Sequence, residues 1–230
     1  MTRSRTLRGM ALAVTAAAAL SGCSSHPGAA ATVGSQSISA SHVDDVAQEL
    51  CTARAVSAKA QGQQIQALQS RAARQGAVNL LISSVLSQEY GASVGAEPDA
   101  GQVASALATF KTTIDAMPAS LRADYTATLR ELVGGELTLL QAGKQELAKA
   151  GTTKVTEQQA FTEGTKLRDA WAADHADVSV DPRFGSYAKG SLVPSSGSLS
   201  VPVSSSAVAG ASAEPNTSFV GSLPDNQKCG

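Results

Sequence analysis

Three cysteines and three histidines are the only side chains from which this 230-residue chain could build a thiol nucleophile, an imidazole base or a soft-metal site. They do not converge. Asp174-His175-Asp177 is the only cluster resembling a metal or acid–base group, and it lies where a helix should end. A histidine there is explained by the favourable field of a helix C-terminus and by exposure. His26 stands in a small polar stretch with no second ligand type at metal spacing nearby. No HExxH, P-loop, GxGxxG or GxSxG pattern occurs. Nucleophile, base and metal site are missing together, so the sequence argues against an enzyme and implies no cofactor.

The chemistry of Cys23 is of another kind. Arg3, Arg5 and Arg8 form a positive head, Gly9 to Leu20 are almost wholly apolar, and the run ends in Leu20-Ser21-Gly22-Cys23. Twelve apolar residues span about 18 Å as a helix, too short for a hydrocarbon core of roughly 30 Å, so this is an export signal rather than a transmembrane segment. The tetrad resembles the bacterial lipoprotein signal, in which cleavage precedes the cysteine and the thiol takes a diacylglycerol. The resemblance implies lipidation at Cys23 and a lipid-anchored protein on the outer face of the cytoplasmic membrane. Cleavage before Cys23 removes three arginines and no acid, leaving a net charge of −4.

Cys51 and Cys229 are then the only thiols left, an even number in an exported chain. A disulfide between them would fasten the end of the chain to the first helix. The alternative keeps Cys51 as a small buried hydrophobe on an apolar helix face and Cys229 free.

Composition excludes several partners. Lys+Arg number 18 against 19 Asp+Glu, which leaves no basic excess for nucleic acid. Aromatics make up 3% of the chain against 43% hydrophobic, so the core must be Ala, Val and Leu, and no small-molecule pocket rich in aromatics is expected.

The elements that position these residues are mostly helical. Residues 23–30 read as a tether. Ala31 to Ser39 puts two β-prone pieces around a Gly-led turn, a small hairpin. Ser41 and Asp44 have the spacing of a capped start for a first helix carrying Val43, Val46, Ala47, Leu50 and Cys51 on one face. The glutamines between 61 and 69 either continue that helix or follow a break at Gly62. A second helix carries Val78 to Tyr90 with Gly91 as its cap. A third holds Val103, Leu107, Phe110 and Ile114 and stops at Met117-Pro118. A fourth runs from about Ser120 to Lys149, with a kink or close helix approach at Gly134-Gly135. A fifth opens on the capping box of Thr156 and Gln159, carries Phe161, Leu167 and Trp171, and ends near Asp177. Val178-Ser179-Val180 is one more strand. The fold class is therefore mostly α: a bundle of about five helices, with two or three short strands joining the two ends of a body spanning 31–188.

The opening Ala31-x-Val33-Gly34-x-x-x-Ile38-Ser39, followed by a capped helix, resembles the N-terminal domain of SurA/PrsA-type extracytoplasmic chaperones. Val180, Pro182 and Gly185 match the returning segment of that family, and alanine-rich lipoproteins of high-GC Gram-positive bacteria look most similar. The resemblance covers roughly 31–188 and implies a protein that holds unfolded or exported polypeptides. About forty residues follow, too few for the parvulin domain of such foldases, so it implies no prolyl isomerase activity. The other reading is an accessory or scaffold subunit of a cell-envelope complex with one dedicated partner.

From Gly190 to Gly230, eleven residues are Ser and four are Pro, with charge only at Glu214, Asp225 and Lys228. Residues 189–230 are therefore expected to form a disordered tail. Within it Leu199 to Val203 alternates like an edge strand, suited to laying itself on the body or in its client groove.

Overall fold

The computed structural model describes residues 28–193, 201–212 and 216–229. Cys23, His26 and the segment expected to be an export signal lie outside them. Strands β1 (Ala29–Val33) and β2 (Gln36–Ser39) form the opening hairpin, with Val33 opposite Gln36 and Ala31 opposite Ile38. Gly34 turns it at φ +54°, a conformation that costs glycine nothing. Four long helices follow in the order α1 (Ala40–Ala60), α2 (Ser70–Val94), α5 (Arg122–Lys149) and α6 (Glu157–His175). Between α2 and α5 lie the short helices α3 (Ala100–Ala108) and α4 (Lys111–Ala116).

After α6 the chain returns as β4 (Val178–Val180), antiparallel to β1, giving a sheet of order β2-β1-β4. Asp181 N–H donates to Ala30 O at 2.8 Å and Gly34 N–H to Asp177 O at 2.9 Å, extending the seam. The two ends of the helical body are thus sewn together. A further hairpin, β5 (Ser186–Ala188) and β6 (Ser191–Val193), turns through Lys189 and Gly190, both at positive φ, and rests on α2, where Leu192 N–H donates to Asn79 Oδ1 at 3.0 Å. The body's elements therefore run from Ala29 to Val193, slightly past both expected boundaries.

Local chemistry explains most helix ends. The α1 cap is Ser39, whose hydroxyl accepts from His42 N–H at 3.1 Å, two residues before the expected Ser41. Ser41 bonds the Ser39 hydroxyl instead. Gly62, at φ +65°, follows the end of α1, so the glutamine stretch breaks the helix. Gly91 does not cap α2: it lies inside it, and Gly95 at φ +67° is the cap. A side chain at Gly91 would run into the Thr138 methyl of α5, which is why glycine stands there. The third expected helix divides into α3 and α4 around Thr109 and Phe110, and Arg122 donates to the carbonyls of Ile114, Asp115 and Met117 to close α4. Thr156 and Gln159 form the expected capping box of α6.

The main core lies between the sheet, α1 and α2, around Val33, Val43, Val46, Leu81, Ile82 and Leu86. A second cluster joins α1 to α5 through Ala53, Met117, Tyr125 and Leu129. Phe184 belongs to the core and Trp171 packs half-buried beside it, stacked on His175 at 5.4 Å between ring centres.

The tail departs from the expectation drawn from its composition. It carries α7 (Ser205–Ala211), α8 (Thr217–Ser222), a 3-10 turn at Asp225–Gln227 and β7 (Lys228–Cys229). β7 pairs with β3 (Leu68–Gln69), and Cys229 is joined to Cys51 with Cα atoms 5.3 Å apart. Arg71 donates to Gly210 O at 2.8 Å. A segment too poor in apolar residues to fold alone is held by the body it is bonded to, which composition by itself does not register. The expected edge strand is not formed at Val201 and Val203, which are 83% and 93% exposed and so fill no groove; Leu199 and Ser200 lie outside the described residues.

Candidate binding clefts

Helix α5 is packed tightly along part of its length and lines open clefts along the rest. Its C-terminal half packs on α6 through glycines: a Cβ at Gly143 would collide with the Ala160 carbonyl, and one at Gly164 with the Leu139 carbonyl. Gly135 meets Ser84 of α2 at 3.1 Å from where its Cβ would stand, while Gly134 has open space. The expected close approach at this glycine pair is real, but only Gly135 makes it. Ser84 Oγ donates to Glu131 O at 2.9 Å across the same contact. Arg168, 5% exposed, ties α6 to α2 by donating to Ser83 Oγ at 2.6 Å.

Above this contact, α2, α5 and α6 leave a groove of about 180 Å3 lined by Leu80, Leu132, Leu139 and Phe161, with Ser83 and Ser87 at its polar side. Leu80 is 41% exposed. The groove has room for one or two aliphatic side chains of a bound segment, not for a folded ligand.

The N-terminal half of α5 faces α1 across a different kind of space. Asp45 and Glu49 of α1 and Asp124 and Glu131 of α5 line a cleft of about 310 Å3, with His42 and Thr128. An adjoining cleft of about 550 Å3 shares Ala127 and Glu131 and continues along α5 past Arg130 to Thr138, bounded by Gln88, Glu97 and Pro98. From Leu121 to Thr138 the two extend about 25 Å along the helix, at 1.5 Å per residue.

Glu49 is the unusual member: it is 3% exposed, and its Oε2 is buried without a hydrogen-bond partner. Burial pushes its carboxyl above the ordinary value, partly offset by a hydrogen bond from Thr128 and reinforced by the negative charge of Asp124. Burial likewise raises Glu131, against a small opposing effect of His42. Among the described residues no three of His, Cys, Asp and Glu converge closely enough to hold a metal ion.

Of the residues singled out in sequence, Cys51 and Cys229 are brought together, and His175 sits at the last position of α6 with Nδ1 2.8 Å from Trp171 O. Sequence reasoning missed Glu49 and His42. The available signal was a carboxylate inside the Val43, Val46, Leu50, Ala53 stripe of α1, where an apolar residue is the rule. Among the described residues no helix is long and apolar enough to cross a membrane. No protein-family model matches the chain, and no curated protein or solved structure is significantly similar to it.

Proposed function

We propose that this protein is a lipid-anchored lipoprotein of the cell envelope, carried by Cys23, that binds segments of unfolded or exported polypeptides and holds them without prolyl isomerase activity. The observation that carries this reading is the largely apolar groove of Leu80, Leu132, Leu139 and Phe161, edged by Glu136, on the face shared by three helices. A site of that size engages one or two apolar side chains at a time, so binding is weak and tolerant of sequence. The likeness to the SurA/PrsA-type N-terminal domain rests on the sequence, at Val33, Gly34, Ile38, Ser39, Val180, Pro182 and Gly185. Assaying the full chain in neutral vesicles for suppression of the aggregation of a reduced, unfolded test protein examines the reading. Suppression by the native chain, lost in Leu80→Asp, is expected. No suppression at stoichiometric excess overturns it.

The second reading is an accessory subunit with one dedicated partner. The glycine-locked α5–α6 contact favours it, because a rigid surface suits one complementary partner better than many clients. Co-purification of one abundant stoichiometric partner from detergent-solubilised membranes decides for it.

A further inference from the structure

The α1–α5 cleft gathers carboxylates that no ion pair among the described residues engages. Asp45, Glu49, Asp124 and Glu131 converge on it from two helices. Among the described residues, none of the four takes part in an ion pair; the seven pairs present all lie elsewhere. The basic side chains among the lining residues are His42 on the cleft wall and Arg130 in the adjoining space. Beneath them the Glu49 carboxylate is almost wholly buried with one oxygen unpartnered, an arrangement that costs free energy unless a donor reaches it.

We propose that this cleft is a receptor for the cationic side chain of a lysine or arginine in an extended polypeptide segment. Three observations choose that occupant. The carboxylates are too dispersed to chelate one ion, so the matching cation is carried on a long stem that places its charge among several acids at some distance from one another. The walls include the apolar Leu121 and Ala127, against which such a stem packs. The cleft also continues into the larger one beside Arg130, Glu97 and Gln88, which gives the backbone on either side of the bound residue a polar path about 25 Å long. The lysine ammonium or arginine guanidinium sits between Asp124 and Glu131 and draws the Glu49 carboxylate toward it. This site is separate from the aliphatic groove and does not depend on the holding activity proposed above.

The probe is a pair of fluorescent, otherwise uncharged ten-residue peptides of Ser, Ala and Gly with capped ends. One carries a central lysine and the other glutamine. Binding to the full chain in neutral phosphatidylcholine vesicles is read by anisotropy at low ionic strength. The lysine peptide is expected to bind at least roughly tenfold more tightly than the glutamine one, and to weaken as salt rises. Asp124→Asn and Glu131→Gln, both on the cleft wall, should each remove most of that preference with the far-ultraviolet dichroism unchanged. Glu157→Gln, an exposed acid in the first turn of α6, should leave it intact. Equal binding of the two peptides by the folded native chain overturns the proposal. So does a lysine preference that survives in the Asp124→Asn, Glu131→Gln double variant. Saturable calcium binding at these residues, with no preference for the lysine peptide, also overturns it and assigns the cleft to a metal ion instead.

Discussion

The two halves of α5 solve opposite problems. From Gly135 onward the helix meets α2 and α6 so closely that hydrogen is the only tolerated substituent at Gly143 and Gly164, and the backbones themselves are in contact. From Leu121 to Glu131 it lines an open cleft with α1, walled by Asp45, Glu49, Asp124 and Glu131, beside the cluster of Ala53, Tyr125 and Leu129 through which the two helices pack. One helix is therefore mortar at one end and the wall of a cleft at the other. A chain with few aromatics can still pack closely if it brings helix backbones together.

The comparison breaks most visibly in the packed half. Gly164→Ala places a methyl on the Leu139 carbonyl, and the expected loss is about 4 kcal/mol, read as a fall in the urea midpoint at unchanged slope. An unchanged midpoint would mean that α5 and α6 have room between them for a methyl group. Next in size is the covalent tie of the tail. Cys51→Ser with Cys229→Ser opens a loop of 178 residues' separation and should cost about 3 kcal/mol, with the amides of 228 and 229 exchanging faster than those of α2. Identical denaturation of reduced and oxidised protein would contradict it.

The cleft half should respond the other way. Glu49→Leu exchanges a buried, half-satisfied carboxylate for an aliphatic group of similar volume and is expected to stabilise by about 1 kcal/mol at pH 8. Because the Glu49 carboxyl titrates above its unfolded value of 4.5, the folded state binds more protons than the unfolded one between the two values. Its contribution is fully present below the unfolded value and is lost as pH rises through the folded one. Glu131 acts in the same direction. Denaturation midpoints measured from pH 4 to 8 should carry this downward component, and Glu49→Leu should flatten it; parallel profiles for the two proteins would refute the assignment. The smallest effect sharpens the contrast within a single pair of residues. Gly134→Ala meets open space and should gain about 0.5–1 kcal/mol by helix propensity, whereas Gly135→Ala must displace Ser84 and should gain nothing.

Much of the architecture was legible one segment at a time. The hairpin at Gly34, the stop at Met117-Pro118 and the capping box of Thr156 and Gln159 each rest on interactions within a few residues, which sequence pattern reports directly, and the strand at Val178 to Val180, though it forms by pairing with distant β1, shows in its own alternation. The misplaced caps at Ser41 and Gly91 show the limit. Ser39 and Ser41 are equally good acceptors, and the return of the chain from β2 selects the first of them. Gly91 has the composition of a cap, yet it is required by Thr138, 47 residues away. The order of β7 was invisible for a similar reason, since it comes from β3 and Cys51 rather than from the tail's own composition.

Periodicity and composition are properties of the chain alone, and they were enough to show that it is mostly helical and that its core is built from small aliphatic residues. Only the tertiary structure decided that Glu49 lies buried opposite Asp124 and Glu131, that Gly143 and Gly164 bring two backbones together, and that the cysteines meet. Those facts depend on how α1, α2, α5 and α6 pack. Side chains far apart along the chain become neighbours only once the helices have chosen their faces, and burial, charge compensation and steric closeness are then set by the neighbour as much as by the residue.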